Sequence, residues 1–149
     1  MTFPVRAVTV ATRVAGDPGE VFAFVSDTRN DPMWCPNVSS VEQVEGDGVD
    51  VGSRFRFHQT VQARGRSLES DVDVTVVELG EGRILWEVED RFQTRAISLT
   101  VAGDHGESLV TQTTRASFKR KPGLARWAYP IMARRVFRDQ LRRLAEHFG

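Results

Sequence analysis

Ala133-Arg134-Arg135-Val136-Phe137-Arg138-Asp139-Gln140-Leu141-Arg142-Arg143-Leu144-Ala145-Glu146-His147-Phe148 is the stretch on which the fold turns. Ala133, Phe137, Leu141, Leu144 and Phe148 fall at i, i+4, i+8, i+11 and i+15, one apolar stripe on a helical period. Arg134, Arg135, Arg138, Arg142 and Arg143 take other positions, so the pattern predicts an amphipathic helix made to lie on something apolar. Lys121-Pro122-Gly123 precedes this helical segment. Pro130 cannot donate to a helical ladder and is expected to kink the segment or to open its main part.

Upstream the period is two, from Val38 to Phe118, with Gly breaks at hairpin spacing. The alternation predicts strands at Val38–Glu45, Ser53–Gln62, Leu68–Leu79, Arg83–Phe92, Thr94–Val101 and Ser108–Phe118. The turns contain Gly46-Asp47-Gly48, Gly65, Gly80-Glu81-Gly82 and Gly103-Asp104-His105-Gly106, residues that tolerate tight connections; the join near Gln93 is the exception. Before them, Val8, Val10, Ala11 and Val14 read as an opening strand that ends at Gly16. Asp17-Pro18-Gly19-Glu20 carries an N-cap acceptor, a proline for the first helical position and an acid that can bond back, which predicts a helix from Pro18 to about Val25. A second short helix or turn is expected around Met33-Trp34-Cys35-Pro36.

Strands and helices segregated in this order predict an α+β fold with the long helix against one face of an antiparallel sheet. A strongly twisted seven-stranded sheet should curl around that helix and enclose volume. No linker or repeat breaks the chain, so residues 1–149 are expected to form one domain.

Three further stretches carry a resemblance. Pro18-x-Glu20-Val21-Phe22-x-Phe24-Val25-x-Asp27, Pro32-x-Trp34-x-Pro36-x-Val38 and Val51-Gly52-Ser53-Arg54-Phe55 resemble the polyketide cyclase/dehydrase and lipid-transport family of the START-like superfamily. The resemblance spans nearly the whole chain. It implies a helix-grip fold, with a ligand cavity between the sheet and the C-terminal helix. Aromatases, cyclases, lipid carriers, quinone-binding proteins and hormone receptors share that superfamily, so the resemblance leaves activity open.

Strand parity sorts the side chains. Phe55, Phe57, Gln59 and Val61 form one inward set, Val72, Val74 and Val76 the next, then Ile84, Trp86 and Val88, then Ile97, Leu99 and Val101, and last Val110, Gln112, Thr114, Ala116 and Phe118. Arg54, Arg56, His58, Asp71, Asp73, Glu87, Glu89 and Arg95 are expected to face water. The ligand-binding candidates are Trp34, Phe57, Gln59, Trp86, Val88, Gln112, Thr114, Trp127 and Met132, chosen as aromatic or pliable walls with a few amide and hydroxyl handles. Trp127 and Tyr129, just before Pro130, are read as a gate at the cavity mouth.

Catalytic patterns are weak. His58, His105 and His147 have no partners at metal or triad spacing, and Cys35, between Trp34 and Pro36, has no base beside it. No metal and no cofactor are expected. An inward acid or base would be needed for a cyclase, and Asp90 is the best candidate by parity.

The single cysteine excludes an internal disulfide, and no apolar run reaches the roughly 20 residues of a membrane span. With no secretory signal in view, a cytoplasmic location is the default expectation. Residues 1–114 hold 10 Lys/Arg against 18 Asp/Glu, and residues 115–149 hold 10 against 2, so a net charge of zero hides a basic C-terminal segment. That segment pairs with its own domain or meets an anionic membrane or partner transiently. No motif points to nucleic acid, and monomer and homodimer both stay open. Three functional readings follow: a binder of a small hydrophobic molecule such as a lipid, polyketide or quinone, a metal-free cyclase/dehydrase of aromatase type, and a surface-interaction protein using the basic helix.

Overall fold

The computed structural model describes residues 1–63 and 65–149, with Val61, Gln62 and Ala63 described by backbone alone. The elements are β1 (Phe3–Pro4), β2 (Val8–Ala15), α1 (Pro18–Ser26), a short 3-10 helix (Thr28–Met33), β3 (Val38–Glu45), β4 (Arg54–Ala63), β5 (Arg66–Gly80), β6 (Arg83–Glu89), β7 (Gln93–Asp104), β8 (Glu107–Phe118) and α2 (Ala125–Phe148). All strand pairs are antiparallel, in the order β1-β8-β7-β6-β5-β4-β3, with β2 also paired to β8. The result is a curved open sheet gripping one long helix, an α+β helix-grip fold. Its sheet has eight strands instead of seven, because the two-residue β1 pairs Phe3 with Phe118 at the end of β8. A two-residue strand ending in proline leaves no period-two signal to read.

Parity held in the strands. Phe55, Val72, Val76, Ile84, Leu99 and Val110 are all buried, and the expectation for Val61 lies outside the described side chains. Arg95 is the correction. It shares parity with Ile97, Leu99 and Val101, so the strand turns it inward, and its side chain is only 14% exposed.

Three local expectations changed. Asp17 precedes α1 but makes no side-chain cap; its Oδ1 instead accepts the Gly106 N–H at 2.6 Å. Together with the Ser108 hydroxyl donated to the Gly16 carbonyl at 2.8 Å, this fastens the start of α1 to the β7–β8 turn. The second helix comes earlier than expected, at Thr28–Met33, and Asp27 caps it by accepting the Arg29 N–H. Finally β6 stops at Glu89 because Asp90 Oδ1 accepts the N–H groups of Phe92 at 2.7 Å and Gln93 at 2.8 Å, which supplies the turn that no glycine provides. Asp90→Ala is therefore expected to cost about 1–2 kcal/mol in a urea unfolding titration, with an unchanged denaturant slope.

α2 continues through Pro130 as one helix and packs against β2. Ala133, Phe137, Leu141 and Leu144 are its buried face, as the stripe requires. Its first third differs: Leu124, Trp127, Ile131 and Met132 are 85%, 72%, 61% and 64% exposed.

Candidate functional site: an apolar cavity with unpartnered polar groups

Between the inner face of the sheet, the 3-10 helix and α2 lies a cavity of about 80 Å³. β4 to β8 supply its walls because their inward residues alternate without interruption along this stretch. α2 supplies Phe137 and Gln140. Trp34, Phe57, Gln59, Trp86, Val88 and Gln112 all line it.

The other three candidates lie elsewhere. Thr114 is buried on β8 one inward step from Gln112, outside the lining, and its Oγ1 has no hydrogen-bond partner. Trp127 and Met132 point away from the cavity. The helix presents Ala133 and Phe137 inward, so Met132, one residue and about 100° round from Ala133, faces solvent. Tyr129 does turn in. Its ring meets Phe118 edge-on at 5.7 Å and its hydroxyl reaches Arg95. Burial pushes that phenol up, and Arg95 offsets part of the rise.

The residues that parity missed come from the loop after α1. Thr28, Asp31 and Cys35 line the cavity together with Trp34. Asp31 is buried, and burial, aided by the Asp27 carboxylate, holds its carboxyl well above the usual range. The Trp34 indole favours the charged form to a smaller degree, without reaching hydrogen-bond geometry. Burial also pushes the Cys35 thiol up, with Asp31 adding to it, which disfavours the thiolate. Residues 26–32 carry neither a helical nor a strand period, which is why an acid at position 31 stays hidden in the sequence; the threefold spacing of Thr28, Asp31 and Trp34 is the available signal.

Arg95 brings a cation into the same cavity. Its guanidinium stands 3.9 Å from the Asp90 carboxylate, both side chains nearly enclosed, while its Nε has no partner. Asp90, the acid that parity favoured, is therefore spent on a turn and on Arg95. Among the described residues, the buried polar atoms without partners include Thr28 Oγ1, Asp31 Oδ1, Trp34 Nε1, Trp86 Nε1 and Arg95 Nε, and all five belong to residues of the cavity wall. No group of three or more His, Cys, Asp or Glu among the described residues could hold a metal ion. His58 lies outside on β4 beside Asp71, and His147 stacks on Phe24 at 4.5 Å.

A family model for polyketide cyclase/dehydrase and lipid transport matches residues 6–149. No curated protein sequence matches the chain. Among solved structures, the Zhui aromatase/cyclase of a Streptomyces species is similar at a TM-score of 0.76 and 14% identity, covering 95% of this chain and 92% of that one. A START superfamily protein of Mycobacterium smegmatis gives 0.67 and 16%, over 94% and 92% of the two chains. A Thermobifida fusca protein gives 0.71 and 23%, over 96% and 93%. At these identities the likeness is one of fold.

Proposed function

We propose, for a chain that belongs to the polyketide cyclase/dehydrase and lipid-transport family, that it binds a small hydrophobic molecule bearing a polar group in the cavity between the sheet and α2. One observation carries the reading: an apolar cavity whose wall holds five residues with buried, unpartnered polar atoms. A packed core keeps such atoms paired, whereas a binding site leaves them for its ligand. At about 80 Å³ the cavity is small against the roughly 300–1,000 Å³ of drug-sized pockets, so a lipid, polyketide or quinone enters only if a wall moves. α2 is the wall suited to move, since side-chain packing and the Arg134 hydrogen bond to the Thr9 carbonyl at 3.3 Å hold it, while hydrogen-bonded ladders hold the strands. Native mass spectrometry of freshly purified protein is expected to show an adduct that a denatured spectrum lacks. A bare chain that also fails to take up added naphthoquinone or fatty acid would remove the support for this reading.

The exposed first third of α2 suits a surface from which such a ligand would be drawn. Leu124, Trp127 and Ile131 fall on one helical face, flanked by exposed Arg126, Arg134, Arg135 and Arg138. An apolar stripe edged with arginines suits an anionic lipid surface and would repel a second copy of the same face. Trp127→Ala with Ile131→Ala is expected to weaken cosedimentation with phosphatidylserine vesicles at low salt at least about tenfold, two buried apolar anchors being worth more than 1.4 kcal/mol. Equal sedimentation of variant and wild type would count against this face.

A second reading is favoured by a different observation. A cyclase or dehydrase needs an ionisable group in the cavity, and Asp31 and Arg95 are there. In that reading Asp31, held neutral by burial, is the general acid. Loss of turnover of a bound polyketide-like compound in Asp31→Asn, with binding kept, would select it over carriage.

A further inference from the structure

Thr28, Asp31 and Trp34 follow one another at intervals of three residues. A 3-10 turn repeats every three residues, so the short helix and its C-cap line these side chains up on one face. All three line the cavity, and Thr28 Oγ1, Asp31 Oδ1 and Trp34 Nε1 are buried without partners. One such atom costs on the order of 1–3 kcal/mol, and three on one face form a cost that a ligand is suited to offset.

The chemistry of the three groups says which ligand atom meets them. An indole N–H only donates, a neutral carboxyl presents one O–H, and a hydroxyl turns either way. Resting on the reading of the cavity as a ligand site, we propose that Thr28, Asp31 and Trp34 form a hydrogen-bond-donating subsite for the neutral carbonyl oxygen of an otherwise apolar ring compound. A ligand carboxylate would stand against Asp31 with Asp27 behind it, and the cation of the lining, Arg95, already faces Asp90. A ligand ammonium finds no acceptor on the indole.

Asp31 donates only while it keeps its proton. Burial and Asp27 both favour that state. Arg29 is committed to Asp27 through two hydrogen bonds of 2.8 Å, and the neighbouring Cys35 thiol is itself pushed up by burial. Arg95, paired with Asp90, is the remaining charge in the lining.

Acetophenone and ethylbenzene are matched in size and differ by one carbonyl, so the ratio of their Kd values isolates the subsite. A purely apolar pocket prefers ethylbenzene, because the ketone leaves water at a cost. NMR titrations at pH 6 of the wild type, Asp31→Leu and Asp31→Asn are expected to show acetophenone preferred by the wild type. Asp31→Leu should move the ratio at least about tenfold towards ethylbenzene, as loss of one buried hydrogen bond requires, with ethylbenzene affinity kept. Asp31→Asn retains an N–H donor and should keep the preference, while losing the decline in acetophenone affinity that the wild type shows as pH rises. This second variant carries the test should Asp31→Leu fail to fold. A wild type that prefers ethylbenzene, an unchanged ratio in Asp31→Leu, or a pH dependence that survives in Asp31→Asn overturns the subsite and leaves the cavity reading standing. Binding of neither compound to the wild type overturns both.

Discussion

Leu144→Ala is expected to destabilise the protein by about 2–5 kcal/mol, and Trp127→Ala by less than about 0.5 kcal/mol, although tryptophan is much the larger side chain. Leu144 is 0% exposed and Leu141 1%, while Trp127 is 72% exposed on the same helix. α2 is therefore fastened by its C-terminal half. There its stripe meets Val21 and Val25 of α1 and the β2 face in one continuous core, with Phe148 packed on it and edge-on to Phe24 at 5.4 Å. Removing Leu144 leaves a hole in that core, whereas removing Trp127 takes away atoms that already touch water. Each kcal/mol shifts the Tm of a chain this size by about 2–4 °C, so thermal melts separate the two variants plainly. Equal losses would mean that the first third of α2 carries as much of the grip as the last.

The second large effect is on the pH dependence of stability. Unfolded, Asp31 ionises near the ordinary carboxylate value; folded, it holds its proton to higher pH because burial penalises the charge. Between those two values the folded state binds more protons than the unfolded one, so stability falls as pH rises across that window. Asp31→Asn removes this slope. The variant is expected to exceed the wild type by at least about 1.4 kcal/mol at pH 8, the linkage energy of a tenfold bias of the folded state towards the protonated carboxyl, and the gap should close towards the acid end of the window. Asp27 and Asp139, whose carboxyls arginines hold below their usual range, lose their contribution as pH falls, but they do so equally in both proteins. The difference between the two Tm curves therefore isolates Asp31. A wild type at least as stable as the variant at pH 8 would mean that Asp31 finds its charge compensated.

These two residues also mark what the amino-acid sequence conveys and what it withholds. Leu144 was legible because helix and sheet both repeat, and a stripe or an alternation declares its buried side. The same rule brought Trp34, Phe57, Gln59, Trp86, Val88 and Gln112 to one cavity wall. It would also have turned Arg95 inward had charge not been taken as a sign of exposure. Asp31 carried no periodic signal, since it sits in a six-residue 3-10 turn that reads as a loop. Its burial comes from tertiary packing of that turn over the sheet edge, where β3 meets it. Trp127 and Met132 have the size and apolarity of cavity lining, since large apolar side chains usually find cover, but the helix turns them to solvent. The Asp90 turn shows the same limit: the join near Gln93 carries no glycine to announce it, and a side chain supplies the turn.

The chain's three tryptophans report on the central claim directly. Trp34 and Trp86 line the cavity with indole N–H groups that lack partners, and Trp127 stands outside. In a 1H–15N spectrum of the indole region, titration with acetophenone is expected to move the Trp34 and Trp86 resonances and leave that of Trp127 in place. Movement of the Trp127 resonance alone, or of none while the compound binds, would contradict a ligand site between the sheet and α2.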